Sequence, residues 1–152
     1  MTGYSVARFF SSICYIGRVP YAPGTAGSFV ALCTWYYLYP ALQANYFIAF
    51  TILLFFIGVK ASSDTERYLS SHDPSEIVID EWVGQWLSLW WVSPSLIWGL
   101  IAFIIFRIFD ICKPWPIKRL DRISSGWGVM LDDVAAGVYT LFIVHILKWI
   151  YL

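Results

Sequence analysis

The sequence predicts an all-α fold: a compact multi-helix membrane bundle with two helical hairpins and a charged cytoplasmic face. Three observations lead there. Hydrophobic residues make up 59% of the 152 and charged residues only 13%, about half the charged share of an ordinary soluble domain. The charges are also segregated. Val19 to Val59 is a run of 41 residues without Asp, Glu, Lys or Arg, Trp82 to Phe106 is a second of 25, and Val134 to Leu147 is a third. Finally, the first two runs each carry a helix breaker near the middle, Pro40 and Ser93-Pro94-Ser95. A helical chain that turns at such a point returns to the side it left. Three charged blocks, Arg8 to Arg18, Lys60 to Glu81 and Arg107 to Asp133, thereby fall on one side, and Lys148 alone lies apart.

The elements follow in order. Val6, Phe9, Phe10, Ile13 and Ile16 recur at helical spacing with Arg8 and serines between them, which predicts an amphipathic helix over 4–16, suited to an interface or to a core. A Gly/Pro loop over 17–25 ends at Thr25, whose hydroxyl suits an N-cap and whose neighbouring free amides suit an anion. Helices over 26–39 and 44–70 come next, the second emerging into a charged extension. Further helices are expected over 76–92 and 95–112, a short one after Pro116, and a last one over 128–150. Strand alternation and internal repeats are missing, and the length fits one domain, 1–152. The apolar segments of about 11–19 residues fall short of the roughly 20 of a full span, so shallow or re-entrant helices stand beside full spans as alternatives.

Nine of the ten Lys and Arg residues lie in the three blocks, which makes that face cytoplasmic by the positive-inside rule. Trp90, Trp91, Trp98, Trp149 and Tyr151 fall near the opposite ends, where an aromatic belt would sit. Zero net charge excludes the basic footprint of a nucleic-acid binder. Cys14, Cys33 and Cys112 have neither zinc nor redox spacing and are expected as buried, reduced thiols. Arg8 and Arg18 interrupt the first apolar stretch, so it does not read as a signal peptide. Nothing in the sequence points to an obligate protein partner.

Acids beside apolar helices are costly and need a reason. Asp80-Glu81 opens the second uncharged run, Asp132-Asp133 opens the third, and Asp110 lies where the second hairpin returns. Five carboxylates at three helix ends would repel one another unless a hard divalent cation, such as Mg²⁺, joins them. Neighbouring helical residues point about 100° apart, so the two members of each pair divide their roles. Arg107, Asp110 and Lys113 share a helix face at i, i+3, i+6, and Pro114 and Pro116 then present Lys118 and Arg119; such cations grip phosphate. No D-x-D-x-T/V motif supports an aspartyl-phosphate, and Cys112 lacks the downstream Arg of a cysteine phosphatase. What remains is cation-assisted attack of water on a phosphate ester. A lipid phosphotransferase would also cluster acids on membrane helices, but the D-G-x₂-A-R motif is absent. A non-enzymatic transport subunit would explain the hydrophobicity and leave the acids unexplained.

With these residues assembled, the chain resembles the phosphatidylglycerophosphatase A family. The matching blocks are Ala22-Pro23-Gly24-Thr25 with Gly27-Ser28, then Ile77-Val78 with Asp80-Glu81 and Gly84. They continue through Phe106-Arg107, Phe109-Asp110, Lys113-Pro114-Trp115-Pro116-Ile117, Asp121, Gly126, Gly128, Met130, Asp132-Asp133 and Ala136-Gly137. The segment from Asp121 to Asp132 is one residue shorter and one glycine poorer than the family pattern. The resemblance implies a Mg²⁺-dependent phosphatase of the bacterial inner membrane that converts phosphatidylglycerophosphate to phosphatidylglycerol. Asp80, Glu81, Asp110, Asp132 and Asp133 would be catalytic and hold the metal, with Lys113 also catalytic. Thr25, Arg107, Lys113 and Lys118 would bind the substrate phosphate.

Overall fold

A computed structural model describes residues 3–151, and among them every regular element is helical. α1 (Gly3–Ser11) is followed by a 3₁₀ turn at Ile16–Arg18 and by α2 (Pro23–Leu38). A second 3₁₀ turn at Tyr39–Ala41 leads into the long α3 (Ala44–Leu69). The short α4 (Ile79–Ser88), then α5 (Leu96–Cys112), the single turn α6 (Ile117–Leu120) and the long α7 (Gly126–Tyr151) complete the chain.

Pro40 lies in the turn between α2 and α3, and the Ser93–Ser95 segment lies just before α5, although α4 already ends at Ser88. α3 and α5 both end on a left-handed residue, Ser70 at φ 50° and Lys113 at φ 42°, whose amides bond back to Glu66 and Phe109. Pro114 then forbids a further turn of α5.

Three elements differ from the sequence reading: α1, α2 and α4, which spans Ile79–Ser88 rather than 76–92. α1 stops at Ser11 rather than 16, because Ile13, Cys14 and Tyr15 are all left-handed. The Ser12 hydroxyl promotes the break, donating to the Arg8 carbonyl at 2.6 Å and accepting from the Tyr15 amide at 3.1 Å. α2 begins at Pro23 with Ala22 as its N-cap, so Thr25 sits inside the first turn and caps nothing. Proline at the first helical position needs no amide partner and has its φ already set, which moves the start two residues upstream of the threonine.

α4 is the centre of the bundle. It packs chiefly on α7, and also on α2, α3 and α5, and every residue in it except Glu81 is buried. Trp35, Phe47, Trp86 and Leu89 fill the core at one end, where the Trp86 indole donates to the Ala31 carbonyl at 2.9 Å. Val59, Ile79, Val83 and Met130 fill the core nearer the acids. His145 fastens α7 to the turn after α4, with Nε2 3.0 Å from the Trp90 carbonyl.

α3 and α7 are each long and apolar enough to cross a membrane, with mean hydropathy of 1.8 and 1.6 in their apolar windows. At 26 residues each they extend about 39 Å, against about 30 Å of hydrocarbon. Only 33% and 44% of those windows are buried inside the protein, which leaves Leu53, Phe56, Phe142 and Ile146 facing outward. The cysteines depart from expectation. Cys14 and Cys112 are exposed and Cys33 half-buried, since Cys14 lies in the left-handed turn and Cys112 shares the outer face of α5 with exposed Ile108 and Ile111.

Candidate active site

The N-terminal turn of α4 presents Asp80 and Glu81, where the helix dipole favours negative charge. The second turn of α7 brings Asp132 and Asp133 alongside. α5 contributes Arg107 and Asp110 from its last turns, and its left-handed cap contributes Lys113. All of these, with Gly24 at the start of α2, line one cavity of about 280 Å³.

Within it the carboxylates divide into two kinds. Asp80, Glu81 and Asp133 each offer an oxygen within 4.8 Å of the others, a grouping able to hold a metal ion. The other two have cations of their own. Arg107 Nη1 lies 2.5 Å from Asp110 Oδ2, and Lys113 Nζ lies 2.7 Å from Asp132 Oδ2 while also bonding Asp121. Asp110 sits near a helix C-terminus, where the dipole opposes negative charge, so its arginine partner is a local need. Arg107 also reaches towards Glu81 Oε1 at 3.9 Å and donates to Ser28 Oγ at 3.3 Å.

Oxygens are left over. Asp80 Oδ1, Glu81 Oε2, Asp132 Oδ1 and Asp133 Oδ2 are buried and have no hydrogen-bond partner among the described residues, and buried carboxylate oxygens rarely stay so. Burial first, and then the neighbouring Glu81, push the Asp80 carboxyl well above its usual range; burial pushes Glu81 up to about 7. A hard divalent cation satisfies such oxygens and reverses both shifts. The donor set fits one. Burial lowers the pKa of Lys113, but its two carboxylate partners outweigh that and raise it, so the side chain is a permanent cation at the cavity wall.

Space is tight around the acids. A Cβ at Gly24 would come within 1.9 Å of Glu81 Oε1, and one at Gly84 within 2.6 Å of the Asp133 carbonyl. These glycines let α2 and α7 close on the carboxylates.

Of the residues expected from sequence, the structure brings Asp80, Glu81, Arg107, Asp110, Lys113, Asp132 and Asp133 to this cavity. Thr25 is half-buried beside it but not on its wall, and Lys118 is exposed on α6, away from it. Sequence reasoning missed Asp121 as the second partner of Lys113, and also Asp73 and Ser75 on the rim. Asp73-Pro74 reads only as a turn signal, and Asp121 has no helical spacing to any other acid.

The model of the family described as Phosphatidylglycerophosphatase A matches residues 9–148. A protein of Bacteroides thetaiotaomicron, provisionally named a phosphatidylinositol-3-phosphatase, is 38% identical over 141 residues, covering 88% of each chain. Two proteins named Phosphatidylglycerophosphatase A are equally similar. The Escherichia coli one is 39% identical over 85% of this chain and 76% of its own. The Haemophilus influenzae one is 38% identical over 88% and 83%. No solved structure matches significantly.

Proposed function

The chain belongs to the phosphatidylglycerophosphatase A family, and from that premise we propose that it is a membrane phosphoric monoester hydrolase. It removes the terminal phosphate of phosphatidylglycerophosphate to give phosphatidylglycerol, with Mg²⁺ as cofactor. The observation that carries this reading is the group Asp80, Glu81 and Asp133, three carboxylates within reach of one cation, flanked by Arg107 and Lys113 in one cavity.

Asp80, Glu81 and Asp133 would hold the metal. When bound, the cation supplies charge neutralisation at the phosphoryl group and a more acidic water. Phosphate monoesters hydrolyse so slowly unaided that this help is a physical need. Arg107 and Lys113 orient the phosphoryl oxygens and oppose their developing charge. Asp110 and Asp132 keep those two side chains aimed inward, so they act on the phosphate through the cations they hold.

α3 and α7 cross the bacterial inner membrane in this reading, with the cavity at the cytoplasmic face, where the lipid headgroup meets it and the acyl chains stay in the bilayer. A second substrate is favoured by one observation, the name of the Bacteroides relative. Phosphatidylinositol 3-phosphate is also a lipid phosphomonoester, and the cation cluster would grip it the same way.

One experiment tests both. Purified protein in detergent is given each lipid with Mg²⁺, and inorganic phosphate is measured. Release from phosphatidylglycerophosphate that stops with a chelator is the expected result. Release from the phosphoinositide alone would replace the substrate, and release unaffected by chelator would remove the metal.

A further inference from the structure

The loop between α3 and α4 carries a histidine that the chemistry above does not use. His72 Nδ1 lies 2.8 Å from Glu66 Oε1, and its Nε2 lies 3.2 Å from the backbone carbonyl of Asp121. Both partners are acceptors only. A neutral imidazole has one N–H and one lone pair, so it can satisfy one of them and must set its lone pair against the other. The imidazolium satisfies both. Glu66, buried at the end of α3, also accepts from the Asp73 amide at 2.9 Å, so it is fixed in place before the ring meets it.

What the ring holds leads into the cavity. Asp121 follows α6, its carboxylate bonds Lys113, and Lys113 bonds Asp132 on the cavity wall. We propose that His72 is a positioning residue for the hydrolytic site: as an imidazolium clamped between Glu66 and Asp121, it fixes the carboxylate that keeps Lys113 in line with the substrate phosphate. The clamp spans 49 residues of sequence from His72 to Asp121 and ties α3 to the α6 turn. The positioning role rests on the phosphatase reading; the clamp does not.

The charged groups facing His72 favour the cation. Glu66 comes from α3, Asp73 from its own loop and Asp121 from the α6 turn, while Arg67 on α3 lines the same surface cleft and opposes it. The Asp121 carbonyl raises the ring's pKa most, partial burial lowers it, and the Glu66 carboxylate raises it again. His72 therefore lets go as pH rises through its raised midpoint.

The test uses the full chain in detergent. With only two histidines in the sequence, ring-nitrogen NMR resolves His72 after assignment with His72→Ala. The expected midpoint lies above the ordinary 6.5 and drops towards it in Glu66→Gln. Amide hydrogen exchange over 118–125 should quicken in His72→Ala below that midpoint and match wild type above it. With phosphatidylglycerophosphate and Mg²⁺, the ratio of wild-type to His72→Ala kcat/KM should be about tenfold near pH 6 and approach one near pH 9; such a ratio cancels titrations common to both proteins. An unshifted midpoint in wild type, or exchange that is equal at all pH values, overturns the clamp. A kcat/KM ratio independent of pH overturns the positioning role. If wild type releases no phosphate at all, the phosphatase reading and the positioning role fall together, and the NMR and exchange results still decide the clamp.

Discussion

Gly84 on α4 and Gly137 on α7 meet backbone to backbone: a Cβ at Gly137 would stand 2.5 Å from the Gly84 carbonyl. The contact lies one turn from Asp80 and Glu81 on one helix and one turn from Asp133 on the other, so it sets how closely the acids approach.

Gly84→Ala and Gly137→Ala should therefore push the helices apart, each destabilising by about 1–3 kcal/mol, the usual cost of overpacking. Phosphate release should fall further than stability does. Gly99→Ala is the control. Its Cβ would meet the Leu32 and Trp35 side chains at 2.8 and 3.0 Å, away from the acids, and should lower the thermal midpoint in detergent while sparing activity at moderate temperature. Equal activity losses in all three would mean that the acids are not what the contact spaces.

Removing the carboxylates one at a time separates their roles. Asp80→Asn, Glu81→Gln and Asp133→Asn should weaken Mg²⁺ binding in calorimetry and nearly abolish phosphate release. Asp110→Asn and Asp132→Asn should cost about 10–100-fold in activity, as partners that orient working groups do, with smaller changes in cation affinity.

Lys113 bridges Asp121 and Asp132 from a half-buried position. Lys113→Met should destabilise by about 1–3 kcal/mol, because two carboxylates lose their partner. Adding Asp132→Asn should recover part of that, giving a double-mutant cycle that is less than additive. Thermal unfolding of the four proteins measures it.

Stability should depend on pH in a way the cation reverses. Burial raises Glu81 from 4.5 to about 7 and moves Asp80 the same way. Raised folded-state values mean that the folded protein binds more protons than the unfolded one between those limits. Stability is thus full below about pH 4.5 and is lost as pH rises through 7. With chelator, the thermal midpoint should fall across that window. With Mg²⁺ it should hold, since the metal favours the ionised carboxylates.

Ser125 has φ 105° just before α7, a conformation that suits glycine. Ser125→Gly should stabilise by about 1 kcal/mol, the relief of strain exceeding the added freedom of the unfolded chain. Chemical denaturation compares the two.

Much of the architecture was legible because hydrophobic runs and breakers are local signals. α3 was expected over 44–70 and spans Ala44–Leu69; α5 was expected over 95–112 and spans Leu96–Cys112. The meeting of the acids was legible too, since each pair opens an apolar run. Their division was not. Helical phase says how Asp132 and Asp133 diverge about their own axis, but not that Lys113, 19 residues earlier, would claim one of them. The early end of α1 was hidden for a related reason: Ser12 turns the chain through its hydroxyl, and Val78 then takes the Ser11 carbonyl at 2.9 Å from far along the sequence.

α4 is ten residues long, begins with two adjacent acids in its first turn and is enclosed on nearly every side. Such a segment is too short and too polar at one end to partition into lipid by itself. Its apolar side chains are covered only by the helices packed around it, α7 above all, so the placement of its two acids depends on those neighbours and not on the segment itself.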